Sequence, residues 1–402
     1  MAAGWRVLLL VALVAVAAGA CAAPGASAVP APHRSVEVAL VDVFSGAGAE
    51  SGRDLRNGLE LQAGLVNASG GLLGSRVEVV TADGEANPAK AAELVRQEVG
   101  DAGVGLVVGP NTTAAFQAAR PALDAAGVPS CLTRVTDEAL ATGRSTFRVG
   151  AANSAEVAVL LTAVRRARPD VGKIGLLDEG DELGRSYDSQ LTAQSGGAGL
   201  GYVGHVTAGA DGDQRAALQQ LAALGAQLVV LSQQPGGAIR AAQADTQLGA
   251  GRPALAGFGA LADASFVSVG GEAAVGAIVA TTQQASLTSA PQAQWPSGYH
   301  AFVTTAGQLY GLGTDGARPQ ATPAGADCLF QWARAVRMAG TFQGAAVARA
   351  WETLDLPADE TALGARERLT TGDHNAVAQD QLVAYTWTKE GSRALLQRVP
   401  MS

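Results

Sequence analysis

Four carboxylates lie close together after one apolar segment of the chain. Asp178, Glu179, Asp181 and Glu182 directly follow Lys173–Leu177, which is typical of a buried strand. Two carboxylates held in one place can act as general acid and base. The alternative, which we favour, is a solvated acidic loop at the rim of a cleft. No nucleophile elbow, phosphate-binding loop or zinc-protease motif accompanies the cluster, so we predict that the chain is not an enzyme.

A glycine-rich turn near the N-terminus is similar to a nucleotide-binding motif. The segment Gly46–Ser51 follows a predicted strand and almost matches G-x-G-x-x-G, while Asp83 ends the next strand. That arrangement is typical of a dinucleotide-binding turn. Ser51 replaces the third glycine, however, and the export signal described below separates the chain from the cytoplasmic nicotinamide cofactors. We therefore predict no cofactor.

The histidines give no pattern for a metal site. They stand singly along the chain, at His33, His205, His300 and His374. A zinc site needs several His or Cys ligands at short, regular spacings. No metal is predicted.

The first residues predict export. Arg6 precedes the apolar run Val7–Ala20, and small residues follow at its end, which is the layout of a secretory signal peptide. The run is shorter than the ~20 apolar residues of a membrane-spanning helix. Ala18–Cys21 also resembles a bacterial lipobox, in which the cysteine is diacylated. Ordinary cleavage after Ala20 without a lipid is the alternative.

We accordingly predict a signal peptide over 1–20, a lipid anchor on Cys21 and a flexible tether over 21–35. The predicted location is extracytoplasmic, on the outer face of the cell membrane or in the periplasm. In that oxidising compartment Cys131 and Cys328 are a disulfide candidate. The pairing is favoured because both cysteines fall in lobe 1 of the domain layout given below. Two separately buried thiols are the alternative.

Composition and patterning predict a soluble α/β protein. Hydrophobic residues make up 48% and charged residues 16% of the chain, and the formal net charge of −8 comes without any Lys/Arg cluster. We expect no nucleic-acid partner, because phosphate binding needs a basic patch. Apolar strands alternate with helical patterns, which predicts βαβ units and parallel sheets. The alternation restarts near Phe147, so we predict two doubly wound lobes.

Three turns follow one another within Val41–Ala92. A Ser45-Gly46 turn ends the first strand, an Asn67-x-x-Gly-Gly-x-x-Gly74 turn precedes the second, and Asn87-Pro88 introduces the next helix. This segment closely resembles the branched-chain amino-acid (leucine/isoleucine/valine-type) periplasmic solute-binding proteins, and weaker matches continue in order to the C-terminal part of the chain. The resemblance implies a periplasmic binding protein type I fold, with two lobes that close over a small solute.

The resemblance also implies a domain layout. Lobe 1 is expected over 36–148 and 290–354, and lobe 2 over 149–282 and 366–402. Three crossover hinge segments are expected near residues 148–152, 281–290 and 354–366.

The ligand is expected between the lobes. The resemblance implies that hydroxyls and amides of lobe 1 hold a ligand carboxylate and that an acidic residue of lobe 2 holds an ammonium group. The corresponding lobe 1 positions are Ser51, Thr112, Thr113, Arg134, Val135 and Thr136. The lobe 2 positions are Leu183, Gln233 or Gln234, Phe258 and Gly259. Ser45 adds a helix N-terminus suited to an anion. Threonines at helix starts also act as caps, which is compatible with binding.

Several positions depart from the family's pattern. Ser51 and Leu183 stand where the family has tyrosine, and Gly259 stands where the ammonium-binding acid is expected. An unpaired buried ammonium is costly, so we broaden the predicted ligand to an amino acid, an amide or a small carboxylate. Arg134 favours an anion if it points inward; an exposed arginine is the alternative. Three aromatic residues are candidates for the pocket, with core packing as the favoured alternative: Trp295, Tyr299 and Trp332.

The expected function is the extracytoplasmic substrate-binding component of an ABC importer. A ligand that contacts both lobes favours the closed form, which a membrane permease would then recognise. The first alternative is a ligand-sensing receptor of the same fold that feeds a signalling partner. The second, a secreted enzyme, is disfavoured.

Overall fold

The structure of the chain, a computed structural model, describes residues 34–46, 49–140, 145–209, 211–249, 251–282, 287, 292–311, 320–391 and 393–401. The predicted signal peptide, Cys21 and most of the tether lie outside these residues. Within them the strands form a six-stranded sheet, a seven-stranded sheet and a two-stranded ribbon.

The strands follow the apolar segments of the sequence. They are β1 (Arg34–Asp42), β2 (Ser75–Asp83), β3 (Val104–Val108), β4 (Ser130–Leu132), β5 (Thr146–Ala151), β6 (Lys173–Asp178), β7 (Gly201–Thr207), β8 (Leu228–Ser232), β9 (Ala254–Gly257), β10 (Ile278–Thr282), β11 (Asp355–Leu356), β12 (Glu367–Arg368), β13 (Asn375–Val377), β14 (Leu382–Glu390) and β15 (Arg393–Arg398).

The α-helices lie between the strands. They are α1 (Ala49–Ala68), α2 (Pro88–Glu98), α3 (Thr113–Ala126), α4 (Asp137–Leu140), α5 (Asn153–Ala167), α6 (Glu182–Gln194), α7 (Gln214–Ala223), α8 (Pro235–Thr246), α9 (Ala264–Ser268), α10 (Ser297–Tyr310), α11 (Pro323–Ala339) and α12 (Gly344–Trp351).

Helices cover both faces of the first sheet. Along β1, Val36, Val38 and Leu40 are buried in one core cluster, while Ala39 and Val41 are buried in another on the opposite face. This is the alternation that a strand imposes on successive side chains. Helices α1, α11 and α12 pack on the first face, and α2 and α3 on the second. Because both faces are covered, strands such as β3 are unbroken apolar runs in the sequence.

The second sheet is built in the same way. Leu176 and Leu177 are neighbours in β6, yet they belong to two different core clusters. Helices α5 and α6 contribute to the first of these clusters, and α7, α8 and α9 to the second. Trp387 of β14 completes the second cluster, where its indole N–H donates to the carbonyl oxygen of Leu261 at 2.7 Å.

The two sheets share one strand order. The first runs β13-β5-β4-β3-β1-β2 with parallel neighbours, and the second runs β15-β14-β10-β9-β8-β6-β7. In each, the first strand of its series lies between the second and the third. Only β14 and β15 are antiparallel to their neighbours in the second sheet. The predicted α/β fold class with two doubly wound parallel-sheet lobes is confirmed.

The third passage between the sheets comes later than predicted. The three-residue strand β13 pairs in parallel with β5 in the first sheet, and the next strand, β14, belongs to the second sheet. The passage therefore lies between Val377 and Leu382, beyond the expected segment 354–366. A strand of three residues carries too little periodicity to be seen in the sequence. The other domain limits remain proposals.

Candidate ligand-binding site

The shared strand order places a crevice at the carboxyl ends of the strands in each lobe. In an open α/β sheet, the helices on either side diverge where the strand order reverses, here between β1 and β3 and between β6 and β8. A cavity of about 580 Å³ opens at these strand ends. Residues of both lobes line it, among them Asn111, Thr113, Arg134, Thr136, Arg148, Glu156, Glu182, Leu183, Tyr187 and Gln234.

The start of α3 forms the lobe 1 wall of this cavity. Thr112 caps the helix, because its side chain accepts a hydrogen bond from the backbone N–H of Ala115 at 3.3 Å. The neighbouring Thr113 hydroxyl accepts from the backbone N–H of Thr136 at 3.1 Å and so ties the helix start to the loop after β4. Hydroxyl groups and the backbone N–H groups of the helix start are thus presented together at the cavity surface.

A carboxylate from lobe 2 already lies at this helix start. Both carboxylate oxygens of Glu182, in the first turn of α6, accept from the backbone N–H of Ala114, at 2.9 and 3.0 Å. The partial positive charge and unpaired N–H groups at a helix N-terminus favour such an anion. The contact joins the two lobes across the cleft.

Arg134 lies at the mouth of the cavity. Its side chain is about half exposed, at 51%, and its guanidinium is 4.0 Å from Asp42. It also donates a hydrogen bond to the Ser51 hydroxyl. The sequence left open whether Arg134 points into the cleft or is exposed. The structure shows both features, because the side chain lines the cavity and also contacts solvent.

A buried ionic network supports the cavity near the first passage between lobes. Arg148 donates to the Asp137 carboxylate at 2.8 Å and to the carbonyl oxygen of Val135 at 2.5 Å. Asp137 also accepts from the backbone N–H groups of Asn153 and Ser154, at the start of α5. Burial opposes ionisation of Asp137, but the Arg148 charge and these hydrogen bonds outweigh it and lower the pKa of the carboxyl.

Glu156 and Tyr187 continue this network into lobe 2. The Tyr187 hydroxyl donates to the Glu156 carboxylate at 2.5 Å. Burial raises the pKa of Glu156 to about 7, against the opposing effects of the Tyr187 hydrogen bond and the Arg148 charge. A carboxyl group lining the cavity is therefore close to half protonated near neutral pH.

A second, smaller cavity of about 150 Å³ adjoins the first on the lobe 2 side. The two share Glu156, Asp181, Leu183, Tyr187 and Gln234 in their walls. Tyr187 and Phe258 stack against each other here, with ring centroids 3.9 Å apart and an interplanar angle of 7°. Polar side chains at the ends of β6 and β8 and the backbone after β9 complete the walls; they include Glu179, Ser232, Gln233 and Gly259.

The structure brings most of the predicted site residues to these two cavities. Those in the walls are Thr112, Thr113, Arg134, Val135, Thr136, Leu183, Gln233, Gln234, Phe258 and Gly259. Ser45 and Ser51 line neither. The Ser45 side chain hydrogen-bonds to Asp83 instead, and Ser51 contacts the cavity only through Arg134. Their roles in binding, like those of the wall residues, stay predictions.

The favoured interpretation of the acidic cluster, a solvated loop, was wrong in part, because one of its carboxylates is buried and another lies in the first turn of a helix. Asp178 is buried at the end of β6, where it accepts from the backbone N–H of Gly180 at 2.6 Å and from the Thr207 hydroxyl at 3.0 Å. Asp181 caps α6 by accepting from Gly184 at 2.8 Å. Helix α6 therefore begins at Glu182, within the segment that was interpreted as a loop.

The candidate aromatic residues and the two cysteines lie outside the walls of the two cavities. Tyr299 and Trp332 are buried core residues, and the Trp295 indole N–H donates to the carbonyl oxygen of Leu287 at 2.6 Å. Cys131 of β4 and Cys328 of α11 form a disulfide, with Cα atoms 5.9 Å apart.

Sequence reasoning missed Glu156 and Tyr187 as wall residues. Both lie inside helices with ordinary amphipathic patterns. Their position on the cleft depends on how the helices pack, which no local sequence signal reports.

The described residues were also compared with the requirements for a metal site and for a membrane-spanning helix. Across the described ranges, no group of three or more His, Cys, Asp or Glu side chains is arranged to hold a metal ion. None of the described helices combines the length and the apolar character needed to cross a bilayer.

Comparison with known protein families agrees with the fold. A family model described as periplasmic binding protein matches residues 35–392 of this chain. The chain belongs to the periplasmic binding protein family. This is a family of extracytoplasmic solute-binding proteins, not of enzymes, and the resemblance seen in the sequence is confirmed. Lipid anchoring on Cys21 remains a prediction.

Curated relatives from this family match only part of this chain. Leu/Ile/Val-binding protein homolog 4 from Brucella abortus is 30% identical over 112 residues, which cover 28% of this chain and 26% of the relative. The match therefore spans about a quarter of that relative's length.

Solved structures of this family share the fold over nearly the whole chain. A solute-binding protein of an ABC transporter from Rhodopseudomonas palustris, in complex with 3,4-dihydroxybenzoic acid, has a TM-score of 0.73 at 17% identity and covers 90% of this chain and 96% of its own. An ABC transporter substrate-binding protein from Desulfitobacterium hafniense, in complex with Leu, has a TM-score of 0.68 at 17% identity and covers 90% and 100%. Likeness at this level of identity shows the fold alone.

Proposed function

We propose that this periplasmic binding protein is the extracytoplasmic substrate-binding component of an ABC importer and takes up a small carboxylate-bearing solute between its lobes. One observation carries the proposal. The start of α3, in the wall of the 580 Å³ cavity, holds the Glu182 carboxylate of the opposite lobe on the Ala114 amide. A site that binds this carboxylate has the chemistry to bind that of a ligand.

The surrounding groups fit the same ligand chemistry. The Thr113 and Thr136 hydroxyls lie beside the α3 amides, and Arg134 adds a positive charge at the mouth. A guanidinium can hold a carboxylate with two parallel hydrogen bonds. The two solved relatives described above contain 3,4-dihydroxybenzoic acid and Leu, each of which carries a carboxylate.

Closure of the two lobes is the proposed mechanism. A ligand on α3 and α6 contacts both lobes at once, and these contacts exist together only when the cleft is closed. The ligand therefore shifts the population toward the closed form. We propose that a membrane permease recognises that form and that the lipid on Cys21 keeps the protein at the membrane.

A ligand screen tests this function. The purified exported protein is heated alone and with amino acids, amides and small carboxylates, and binders are measured by isothermal titration calorimetry. At least one carboxylate is expected to raise the melting temperature, since a ligand that binds only the folded state stabilises it.

Two valine substitutions localise the binding. Thr113→Val removes a cleft hydroxyl and is expected to weaken binding by about tenfold. Thr162→Val removes the exposed hydroxyl of α5, which bonds to the carbonyl oxygen of Ala158, and is expected to have no effect. Absence of any carboxylate binder, or equal effects of the two substitutions, would overturn the proposal.

A further inference from the structure

Helix α5, the first helix of lobe 2, has no capping side chain of its own. The residue before its first turn is Ala152, whose methyl group cannot accept a hydrogen bond. The backbone N–H groups of Asn153 and Ser154 donate instead to the two carboxylate oxygens of Asp137, at 2.8 and 2.9 Å. The Ser154 hydroxyl also donates to Asp137, at 2.8 Å. One carboxylate therefore satisfies two of the N–H groups that a helix start leaves unpaired.

This cap comes from the other lobe. Asp137 begins α4, which lies between β4 and β5 of the first sheet. The apolar side chains of α5, such as Val157 and Leu160, belong instead to a core cluster of the second sheet. The first passage between the sheets runs from β5 to α5, so the Asp137 carboxylate spans it. The attraction between a carboxylate and a helix N-terminus thus holds the beginning of lobe 2 against lobe 1.

Arg148 holds Asp137 and at the same time reaches the third passage between the sheets. Its guanidinium donates from Nη2 to Asp137 at 2.8 Å and from Nε to the Asn375 side-chain oxygen at 2.7 Å. The Asn375 amide group donates to Asp373 at 2.8 Å, which turns the amide oxygen toward Arg148. Asn375 lies in β13, directly before the third passage. A single side chain, 3% exposed, therefore joins the chain segments at two of the passages.

The same guanidinium also holds the wall of the ligand cavity. Arg148 donates from Nη1 to the carbonyl oxygen of Val135 at 2.5 Å. Val135 and Thr136 line the 580 Å³ cavity, and Thr136 is bonded to Thr113 at the start of α3. Asp137 is the next residue along the chain and lines neither cavity. The wall segment and the cap of α5 thus belong to one buried hydrogen-bond network, and such networks are rigid when their members are satisfied.

We infer that Arg148 and Asp137 are positioning residues that fix the orientation of lobe 2 relative to the ligand-contacting wall of lobe 1. Neither side chain has to touch the ligand for this role. Loss of either contact lets α5 shift at the first passage, so the closed form is less populated and the apparent affinity for a ligand falls in proportion. The inference rests on the proposed function, because it names the residues on which closure over the ligand depends.

Distances between the lobes test this role without a ligand. Spin labels are attached to Gln97→Cys on α2 of lobe 1 and to Gln243→Cys on α8 of lobe 2, both at exposed positions, in a Cys21→Ser background. Double electron–electron resonance then gives the distribution of distances between the two labels. We expect Asp137→Asn and Arg148→Lys to broaden this distribution.

Each variant removes one defined part of the network. Asp137→Asn offers one acceptor oxygen where both oxygens of the carboxylate are in use. Arg148→Lys keeps the positive charge, but its single nitrogen cannot reach three partners in different directions. Ser154→Ala removes only the hydroxyl contact with Asp137 and leaves Arg148 paired, so it should broaden the distribution less. Thermal unfolding verifies that the variants are folded, and Ser154→Ala decides the test where the other two are not.

Asp213→Asn is the matched control. Asp213 caps α7 by accepting from the backbone N–H of Ala216 at 2.9 Å, and α7 packs in a core cluster of the second sheet. The substitution removes the charge of a capping aspartate, as Asp137→Asn does, but it changes no contact between the lobes. The distance distribution of Asp213→Asn should therefore match that of the unmodified protein.

Calorimetry connects the positioning role to binding. The probes are L-leucine and 3,4-dihydroxybenzoate, the two solutes contained in the solved relatives described above, together with each carboxylate that the ligand screen finds to bind. We expect Asp137→Asn to weaken the affinity for a bound probe by about tenfold, the effect of one charged hydrogen bond. Asp213→Asn should change it by less than about twofold, as is usual for a surface substitution.

The outcomes separate this inference from the function beneath it. Unchanged distance distributions in Asp137→Asn and Arg148→Lys, or equal broadening in Asp213→Asn, would overturn the inference and leave the binding function standing. Weaker binding by Arg148→Lys without broadening would also overturn it, because Arg148 would then act by direct contact with the ligand. If no carboxylate binds to the unmodified protein, the proposed function fails, and the label distances still decide whether the pair positions the lobes.

Discussion

Glu182 gives the cleft an internal anion at the point where a ligand carboxylate is proposed to bind. Its oxygens are 2.9 and 3.0 Å from the Ala114 nitrogen. Two carboxylates cannot share one backbone N–H without repelling each other. A ligand must therefore displace Glu182, and the free energy of that displacement is subtracted from the binding free energy.

Glu182→Ala is expected to bind a carboxylate ligand about fivefold more tightly, because the competing anion is gone. Calorimetry on both proteins measures the change. Glu78→Ala, on the outer strand β2, removes an exposed carboxylate far from the cleft and serves as the control for net charge. Weaker binding in Glu182→Ala would mean instead that Glu182 contacts the ligand.

The carboxyl of Glu156 should make stability depend on pH. Its pKa is about 7 in the folded protein and near 4.3 in an unfolded chain. Between these values the folded state binds more protons than the unfolded state at this group. The contribution of Glu156 to stability therefore falls as pH rises through this range and is constant above it.

Glu156→Gln cannot lose a proton and should not show this part of the decline. We expect the variant to gain about 1–3 kcal/mol relative to the unmodified protein between pH 5 and pH 8. Denaturant unfolding at both pH values measures the difference. The comparison of the two proteins cancels other buried carboxyls such as Asp245, whose pKa burial also raises to about 7. Parallel pH profiles for the two proteins would contradict the prediction.

At the scale of elements, many of the cleft residues lie at the end of a strand or at the beginning of a helix. Asp181 fixes where α6 starts, and this places Glu182 and Leu183 in the first turn, facing the cavity. An acceptor that caps a helix satisfies one of its unpaired N–H groups. The hydrogen bond from Gly184 to Asp181, at 2.8 Å, therefore helps to position the cleft wall.

Asp181→Ala should destabilise the protein by about 1 kcal/mol, since it removes this cap. Asp181→Asn retains a capping oxygen and should lose only a few tenths of that amount. Thermal unfolding of both variants gives the difference. Equal destabilisation by Ala and Asn would show that the charge, rather than the cap, is what stabilises α6.

The sequence allowed a good prediction of the elements but only part of the site. The alternation of strands and helices was predictable because strands buried on both faces, such as β3 and β8, are apolar runs in the sequence. The segment before α6 was interpreted as an acidic loop because the first turn of the helix carries charged residues in place of an apolar pattern. Tyr187 was missed as a wall residue because its position depends on the packing of α6 against Phe258, a contact between distant segments.

At the scale of the whole molecule, lobe 1 is assembled from segments that lie far apart in the sequence. Helices α11 and α12 follow β10 of the second sheet, yet they pack on β1, β3 and β5 of the first. The Cys131–Cys328 disulfide joins two of these distant segments inside that core, across a sequence separation of 197 residues. Both cysteines are fully buried.

A bond that closes so long a loop limits the freedom of the unfolded chain, and for this reason it should stabilise the folded state. Reduction is expected to lower the free energy of unfolding by about 2–5 kcal/mol. Denaturant unfolding with and without dithiothreitol measures this. The double variant Cys131→Ala, Cys328→Ala should be less stable than the oxidised protein and insensitive to the reductant.

Because both cysteines lie in the lobe 1 core, away from the cavity walls, ligand affinity of the folded double variant should be unchanged. A loss of affinity without a loss of stability would show instead that the bond positions the cleft.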